Sequence, residues 1–283
     1  MTRLRTVTSL LLPELEPYRT MKRSYDQHLQ GIFIAEGEKV VSQLLQSPYR
    51  ILSALMPEKY YRRLQPLCDA RPEDFDIFLA DKELLKELTG YKYYQGVLAI
   101  GQIPARLSLQ EAWERSPSPR FFMAVDELAN AENLGVMIRN AAAFGVQTVI
   151  VGSLCCNPWL RRSIRSSVGN IFSINIVEGV DICKTFSWLR SRSMQVIAAH
   201  PHAESHTLGS YDWTRGDLCL TFGNEGQGIP PAVLDACSAS VSIPMSNRAD
   251  SINVACASAT FLYDAWRVRT QSAASASSVL PQK

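Results

Sequence analysis

The sequence predicts an α/β protein of two domains, the second of which contains a parallel sheet. Short apolar runs alternate with amphipathic stretches, most regularly in the C-terminal half. The segment WERSPSPRFF (113–122) contains two prolines and two serines, which interrupt helix and strand alike. With 283 residues, 46% of them apolar, the chain is long enough for two cores. We expect a first domain at 1–104, a linker at 105–119, a second domain at 120–270 and a disordered tail at 271–283.

Before the linker, strands and helices alternate over short distances. Val40, Val41, Leu44 and Leu45 recur at helical spacing, and Asp81 stands at a helix N-cap position. The predicted strands are 31–35, 50–56, 75–80 and 96–100, and the predicted helices are 36–47 and 81–88. This pattern is typical of a small α/β or α+β domain.

After the linker, the alternation is more regular. The predicted strands are 121–125, 147–151, 171–176, 195–199, 218–222 and 239–244, and the predicted helices are 133–144, 159–167, 181–191, 230–237 and 251–267. Strands joined by helices pair in parallel and form a sheet covered on both faces. Ligands of such sheets bind outside the carboxyl ends of the strands, so the loop after 218–222 is a candidate site.

Composition and charge exclude several classes of protein. A net charge of +2 permits an acidic partner but does not require one. The seven cysteines are odd in number and form no CxxC pair, which indicates reduced thiols in a cytosolic protein. No apolar run reaches about 18 residues, so we expect no membrane span. The N-terminal apolar run is too short for a signal peptide and is followed by Glu14 and Glu16.

The loop GNEGQG (223–228) places three glycines around Glu225. Glycine costs conformational entropy, so such a cluster indicates unusual dihedral angles or a backbone that a ligand approaches closely. Dinucleotide-binding proteins and class I methyltransferases need a glycine-rich turn after the first strand, but residues 126–135 read DELANAENLG. The P-loop pattern GxxxxGK[ST] is also absent. The glycine loop therefore indicates a different kind of ligand site.

Three segments of the C-terminal half form a set: NLGVMIRNAAAFGV (133–146), GNEGQG (223–228) and SIPMSNRADSINVACASATFLYDA (242–265). This set resembles the SpoU, or TrmH-like, branch of the SPOUT RNA methyltransferases. The family pattern is N-x-G-x-x-x-R with an alanine-rich helix ending A-F-G, then G-x-E-G-x-G, then I-P-M with S-[LI]-N. RSSVGNIF (165–172) is similar to the family's S-x-G-x-x-F stretch. The resemblance covers roughly 120–267.

The N-terminal half carries a weaker resemblance. FIAEGEKVVSQLL (33–45) and YYQGVLAI (93–100) look like the start and end of the small substrate-binding domain, similar to ribosomal protein L30e, that often precedes this catalytic domain. Tyr94 stands where the family commonly has histidine. The resemblance implies that 1–104 binds RNA and that 120–270 carries a methyltransferase domain with a deep trefoil knot.

The resemblance also implies the chemistry. It implies S-adenosylmethionine as cofactor and methylation of a ribose 2′-hydroxyl in RNA, ribosomal RNA rather than transfer RNA. It implies contact with the cofactor by Ala199, Gly223, Gly228, Ile243, Met245 and Ile252. The residues it implies for catalysis are Arg139, Asn133, Glu225, Ser251 and Asn253. For Arg139 we expect a role in binding the target phosphate and orienting the hydroxyl, because a guanidinium is hard to deprotonate.

Several alternatives stay open from sequence. The alternatives to a methyltransferase that modifies a ribose of ribosomal RNA are an RNA-binding protein without catalysis, an enzyme that methylates transfer RNA, and an enzyme that methylates a base nitrogen. The resemblance implies a homodimer formed partly by the last helix. HPHAESH (200–206) lacks a complete set of metal ligands, so we expect no metal site. The basic stretch RRSIRSS (161–167) is either an RNA contact or a solvated face.

Overall fold

The chain folds into two units in the computed structural model, which describes residues 2–22, 29–89, 96–203, 206–246 and 250–278, with side chains described as far as 272. The N-terminal unit comprises Met1–Ala105 and Pro158–Ser173, and the C-terminal unit comprises Arg106–Asn157 and Ile174–Lys283. Tyr94, singled out in the sequence, lies outside the described residues. None of the described helices is long and apolar enough to cross a membrane.

Strands and helices alternate along most of the chain. The strands are β1 (Arg3–Thr6), β2 (Ile32–Glu36), β3 (Ile51–Met56), β4 (Asp76–Leu79), β5 (Leu98–Gln102), β6 (Phe121–Val125), β7 (Thr148–Gly152), β8 (Asn175–Val180), β9 (Gln195–Ala199), β10 (Leu218–Phe222) and β11 (Ala239–Val241). The helices are α1 (Glu16–Arg19), α2 (Glu38–Leu45), α3 (Glu58–Asp69), α4 (Lys82–Thr89), α5 (Leu109–Arg115), α6 (Ala131–Ala143), α7 (Arg161–Ser166), α8 (Ile182–Arg190), α9 (Pro231–Ala236) and α10 (Val254–Ser278). Short 3-10 helices lie at Pro13–Leu15 and Asn170–Ser173.

The N-terminal unit contains a mixed sheet in the order β1-β4-β3-β5-β2. The pairs β1–β4 and β4–β3 are parallel, whereas β3–β5 and β5–β2 are antiparallel. Helix α2 buries the four apolar residues whose spacing predicts it. Strand β1 is not predicted from the sequence, because its four residues are all exposed and carry no apolar alternation.

The segment Pro158–Ser173 lies between β7 and β8 in sequence but belongs to the N-terminal unit. The rings of Trp159 and Phe172 lie 5.6 and 5.4 Å from that of Phe33 on β2. The guanidinium of Arg161 binds the buried carboxylate of Glu36, and that of Arg165 lies 3.4 Å from it. The basic stretch 161–167 therefore places two of its arginines against a carboxylate within its own unit. Neither expectation included this ion pair, but Arg162 and Arg165 are exposed, so an RNA contact by this stretch stays a prediction.

The C-terminal unit contains a parallel sheet in the order β11-β9-β10-β6-β7-β8. All five pairings are parallel. Every residue of β6, β7 and β10 is buried, as expected for strands covered on both faces. The carboxyl ends of β6, β9 and β10 consequently lie at one edge of the sheet. The order of strands in a sheet does not show how the chain passes through itself, so the trefoil knot stays a prediction. The similarity of the first domain to ribosomal protein L30e also stays a prediction.

Three expected elements differ in the structure. The expected strand at 171–176 is a 3-10 helix, Asn170–Ser173, followed by β8; Ile171 and Phe172 are buried in this helix, and Phe172 packs on Phe33 of β2. The expected linker contains α5, whose Ser108 and Glu111 form a reciprocal capping box. Helix α10 runs to Ser278, so the backbone of 271–278 is helical where a disordered tail is expected.

Candidate functional site

A cavity of about 300 Å³ opens at the carboxyl ends of β9 and β10. Three segments of the C-terminal unit line it: the end of β9 with the loop after it, the glycine loop 223–228, and residues from 243 to the first turns of α10. The lining includes all six residues expected to contact a cofactor, Ala199, Gly223, Gly228, Ile243, Met245 and Ile252, and also Glu225 and Ser251. The cavity lies where ligands of parallel sheets bind.

The glycine loop is closed by its own backbone. Asn224 and Gly228 exchange hydrogen bonds between N–H and C=O groups, at 2.9 and 3.0 Å. The Oδ1 of Asn224 accepts hydrogen bonds from the N–H groups of Gly226 and Gln227, and its Nδ2 donates to the carbonyl of Glu127. A Cβ at position 223 would lie 2.4 Å from the carbonyl oxygen of Gly228. Position 223 therefore excludes any side chain.

The composition of the cavity fits S-adenosylmethionine. Ile243, Met245 and Ile252 present apolar side chains, as an adenine ring requires, and the glycine loop presents bare backbone. Glu225 and Asp250 also line the cavity, and two acidic residues suit a ligand that carries positive charge. A volume of about 300 Å³ lies within the range of small-molecule sites.

A chain of hydrogen bonds joins the three sequence motifs beside this cavity. The Nδ2 of Asn253 donates to the Oδ1 of Asn133 at 3.2 Å, and the Nδ2 of Asn133 donates to the Oε1 of Glu225 at 3.0 Å. The Oδ1 of Asn253 accepts from the N–H groups of Ala255 and Cys256. The Oδ1 and the Nδ2 of both Asn133 and Asn253 are therefore engaged in hydrogen bonds, and this fixes the orientation of the Glu225 carboxylate.

Two helix starts differ from those expected from the sequence. Asn130, not Asn133, is the N-cap of α6, because its Oδ1 accepts from the N–H groups of Glu132 and Asn133. This leaves the side chain of Asn133 free to bind Glu225. Helix α10 begins at Val254 rather than at Ser251, which stays exposed in the cavity wall.

Arg139 lies on α6 and is exposed. Among the described residues its guanidinium has no hydrogen bond or ion pair, and it does not line the cavity. Two residues of α10 hold α6 in place, because the Nδ2 of Asn140 donates to Ala255 O and Ser258 Oγ at 2.9 and 3.0 Å. Because the Arg139 guanidinium is exposed and has no partner among the described residues, it is available to a ligand outside the protein.

Thiolate chemistry is disfavoured beside the cavity. Burial, followed by the neighbouring Cys155 and Glu225, raises the pKa of Cys156 to about 11. Burial likewise raises the pKa of Cys155 to about 11. Both thiols are therefore protonated near pH 7 and are poor nucleophiles. Among the described residues, no group of three or more His, Cys, Asp or Glu side chains is arranged to hold a metal ion.

Several cavity residues are not predicted from the sequence, notably His200, His202, Asn224 and Asp250. From the sequence, the two histidines are considered only as candidate metal ligands. Their position in the chain indicates the cavity more directly, because His200 follows Ala199 at the carboxyl end of β9. Asn224 and Asp250 are adjacent to residues that the motifs already single out.

Comparisons with known proteins match both units. The model of the SpoU rRNA Methylase family matches residues 120–263. An uncharacterised tRNA/rRNA methyltransferase of Mycobacterium tuberculosis is 27% identical over 84% of this chain and 82% of its own length. A 23S rRNA (guanosine-2′-O-)-methyltransferase of Acinetobacter baylyi is 26% identical over 82% of this chain and 96% of its own. The AdoMet-bound rRNA methyltransferase of Sinorhizobium meliloti is 24% identical, with a TM-score of 0.78 over 93% of this chain and 98% of that one. The last similarity shows a shared fold.

Proposed function

The chain belongs to the SpoU rRNA methylase family, and from this premise we propose that it transfers a methyl group from S-adenosylmethionine to a ribose 2′-hydroxyl of ribosomal RNA. One observation carries the proposal. The hydrogen-bond chain from Asn253 through Asn133 to Glu225 joins all three family motifs at the rim of a cavity that fits the cofactor. The relative from Acinetobacter baylyi, named as a 23S rRNA 2′-O-methyltransferase, supports both the reaction and the RNA class.

The cavity holds the cofactor through its walls. Gly223 and Gly228, which line the cavity, would offer bare backbone to it. Ile243, Met245 and Ile252 would enclose its adenine ring, and Ala199 would lie at the edge. When bound, S-adenosylmethionine supplies an electrophilic methyl group on a sulfonium. Transfer of this methyl group to the ribose oxygen would break the carbon–sulfur bond and leave the cofactor as a thioether, and the hydroxyl proton would pass to water.

The remaining polar groups position the RNA. The free guanidinium of Arg139 binds a phosphate next to the target ribose and so orients the 2′-hydroxyl. Asn133 and Asn253 hold the Glu225 carboxylate in one orientation at the cavity wall, and Ser251 completes that wall. Orientation of this kind contributes to catalysis because it lowers the entropic cost of aligning the two reactants.

Substitution of Arg139 tests this assignment. We expect Arg139→Ala to reduce methyl transfer at least ~100-fold while the Kd for S-adenosylmethionine changes less than ~3-fold, because the residue does not line the cavity. Arg139→Lys keeps the charge but loses the planar fork, so partial activity is expected. Arg215→Ala removes an exposed guanidinium of the same unit and serves as the control. Full transfer activity in Arg139→Ala contradicts the assignment.

The RNA class and the methylated atom need a separate experiment. The protein is incubated with radiolabelled cofactor and with separated pools of unmodified ribosomal and transfer RNA. Nuclease digestion and mass spectrometry then locate the methyl group. We expect label in ribosomal RNA on a ribose oxygen. Label in transfer RNA or on a base nitrogen supports the corresponding alternative, and cofactor binding without any transfer supports a non-catalytic RNA-binding protein.

We also propose that the protein is a cytoplasmic homodimer. The free state of all seven cysteines supports a reducing compartment. Tyr263 and Trp266 on α10 are 49% and 41% exposed and form an aromatic cluster with Phe144, which favours burial against a second copy. We expect Trp266→Glu to convert a dimer to a monomer in light scattering at micromolar concentration. The control is Leu11→Glu, since Leu11 is 76% exposed in the other unit. A wild-type monomer contradicts the proposal.

A further inference from the structure

Two histidines form part of the cavity wall, although no motif assigns them a role. His200 and His202 follow β9 and line the same space as the glycine loop. Their rings meet edge to face, with centroids 5.7 Å apart and planes at 83°. The wall on the β9 side therefore presents two imidazole rings to a ligand.

The main chain of His200 is fixed on both sides. Its N–H donates to the carbonyl of Val241 at 3.0 Å, and its carbonyl accepts from the N–H of Ala203 at 3.2 Å. The backbone of His200 is therefore held at the cavity by β11 and by its own loop. Its Nδ1 is buried and has no hydrogen-bond partner among the described residues. Protonation would place an N–H on that atom, where no acceptor from the described residues stabilises it.

The surroundings of His200 favour its neutral form on balance, mainly because the ring is partly buried. Glu225 and Asp250 line the cavity and would stabilise an imidazolium, and His206 lies further along the same loop, with its ring edge to face against Tyr211. Even so, the pKa of His200 is lowered, first because burial disfavours the charged ring and then because of the nearby His202. Residues 204–205 and 247–249 near these segments lie outside the described residues.

We propose that His200 and His202 are part of the S-adenosylmethionine site and that His200 serves it only as a neutral imidazole. This inference rests on the proposed function, since it names further residues of the same cofactor site. S-adenosylmethionine carries a sulfonium and an ammonium against one carboxylate, so its net charge is positive. A neutral pair presents ring faces and one donor and one acceptor per ring to this ligand. A protonated ring would add a like charge to a confined space.

The direction of the pH dependence follows from this. A group that must be neutral in the complex binds fewer protons there than in the free protein. Cofactor binding is then at full strength above the pKa of the free protein's His200 and weakens as pH falls through it. For one such ring the Kd rises by up to about tenfold for each pH unit below that pKa, which for His200 lies below the ordinary value of about 6.5.

The test uses the full-length protein and two readouts that do not depend on activity. The Kd for S-adenosylmethionine is measured by calorimetry between pH 5 and 8 in the wild type, His200→Phe, His202→Phe and the control His206→Phe. In parallel, imidazole nitrogens are followed by NMR in histidine-labelled wild-type protein during cofactor titration. The chain has four histidines, so the signals can be assigned by the variants.

The expected result is a wild-type Kd that rises by up to about tenfold per pH unit once the pH falls below the pKa of free His200, a smaller rise in His200→Phe, and a wild-type profile in His206→Phe. The NMR signals of His200 and His202 should shift on binding while that of His206 stays. Tight binding with a flat pH profile and no shift at either histidine overturns this inference but leaves the proposed function intact. Absence of cofactor binding at every pH overturns both. The NMR titration decides the question even if a variant fails to fold.

Discussion

Substitution of Gly223 tests the idea that the cavity depends on bare backbone. In Gly223→Ala, the new Cβ would lie 2.4 Å from the carbonyl oxygen of Gly228, 2.5 Å from its carbonyl carbon and 2.6 Å from the nitrogen of Ile229. All three atoms belong to the backbone, so no flexible side chain can move aside. The loop itself must open, and the acceptor that moves is the one that binds the N–H of Asn224.

The magnitude follows from the cost of overpacking. Forcing one methyl into a packed site costs about 1–3 kcal/mol. If the loop opens to relieve this contact, cofactor binding must close it again at the same cost. The Kd for S-adenosylmethionine then rises about 5- to 150-fold, since 1.4 kcal/mol corresponds to a factor of ten.

The control is a second glycine of the same loop. A Cβ at Gly226 would meet only the Oδ1 of Asn224, at the ordinary contact distance of 3.5 Å, and its φ is not in the left-handed region. We expect Gly226→Ala to bind the cofactor within ~3-fold of the wild type. Calorimetry gives the Kd of both variants, and circular dichroism shows whether each is folded. Equal affinity in the folded Gly223→Ala protein would refute the reasoning that this position must be bare.

Two further predictions concern stability. Glu36→Gln leaves Arg161 without its buried charged partner and should lower the free energy of unfolding of the N-terminal unit by about 3 kcal/mol, measured by urea denaturation with hydrogen exchange on β2 as the probe. The control Glu38→Gln breaks only an exposed ion pair and should lower the free energy of unfolding by less than ~1 kcal/mol. Equal losses in the two variants would contradict the first estimate. Burial raises the pKa of Asp264, but hydrogen bonds from Arg267, Trp213 Nε1 and the N–H of Gly209 outweigh burial and lower this pKa overall. The stabilisation that Asp264 gives is therefore fully present above its pKa in the unfolded chain, about 4, and is lost as pH falls through its lower pKa in the folded protein. Asp264→Asn should accordingly cost about 2 kcal/mol at pH 7 and progressively less at more acidic pH in urea midpoints, and a pH-independent difference would contradict this.

The parallel sheet and the cavity were predictable because their signals are local. Each buried strand is a continuous apolar run, and β6, β9 and β10 lie at or within one residue of their expected bounds. The glycines at 223 and 228 indicate positions where the backbone needs a residue without a side chain, so this part of the cavity wall could be predicted from a short motif. The hydrogen bond from Asn253 to Asn133 was not predicted, because a contact across 120 residues leaves no trace in local spacing.

The inserted segment could not be predicted, for a physical reason. Its arginines at 161 and 165 look like a solvated basic face because the balancing carboxylate, Glu36, lies more than 120 residues earlier. Phe172 looks like the start of a strand because any apolar residue before β8 extends the strand pattern. Strand β1 is missed in the opposite way, since an exposed edge strand needs no apolar face.

The discontinuous N-terminal unit changes how the protein can be dissected. A fragment cut at residue 105 would lack Trp159 and Phe172, so Phe33 would lose both of its aromatic neighbours. It would also keep the Glu36 carboxylate without Arg161. Such a truncation would yield a partly unpacked piece rather than an independent module, and a poor result from it in RNA binding would reflect the cut. A faithful excision has to graft the sixteen-residue span from Pro158 to Ser173 back onto the fragment.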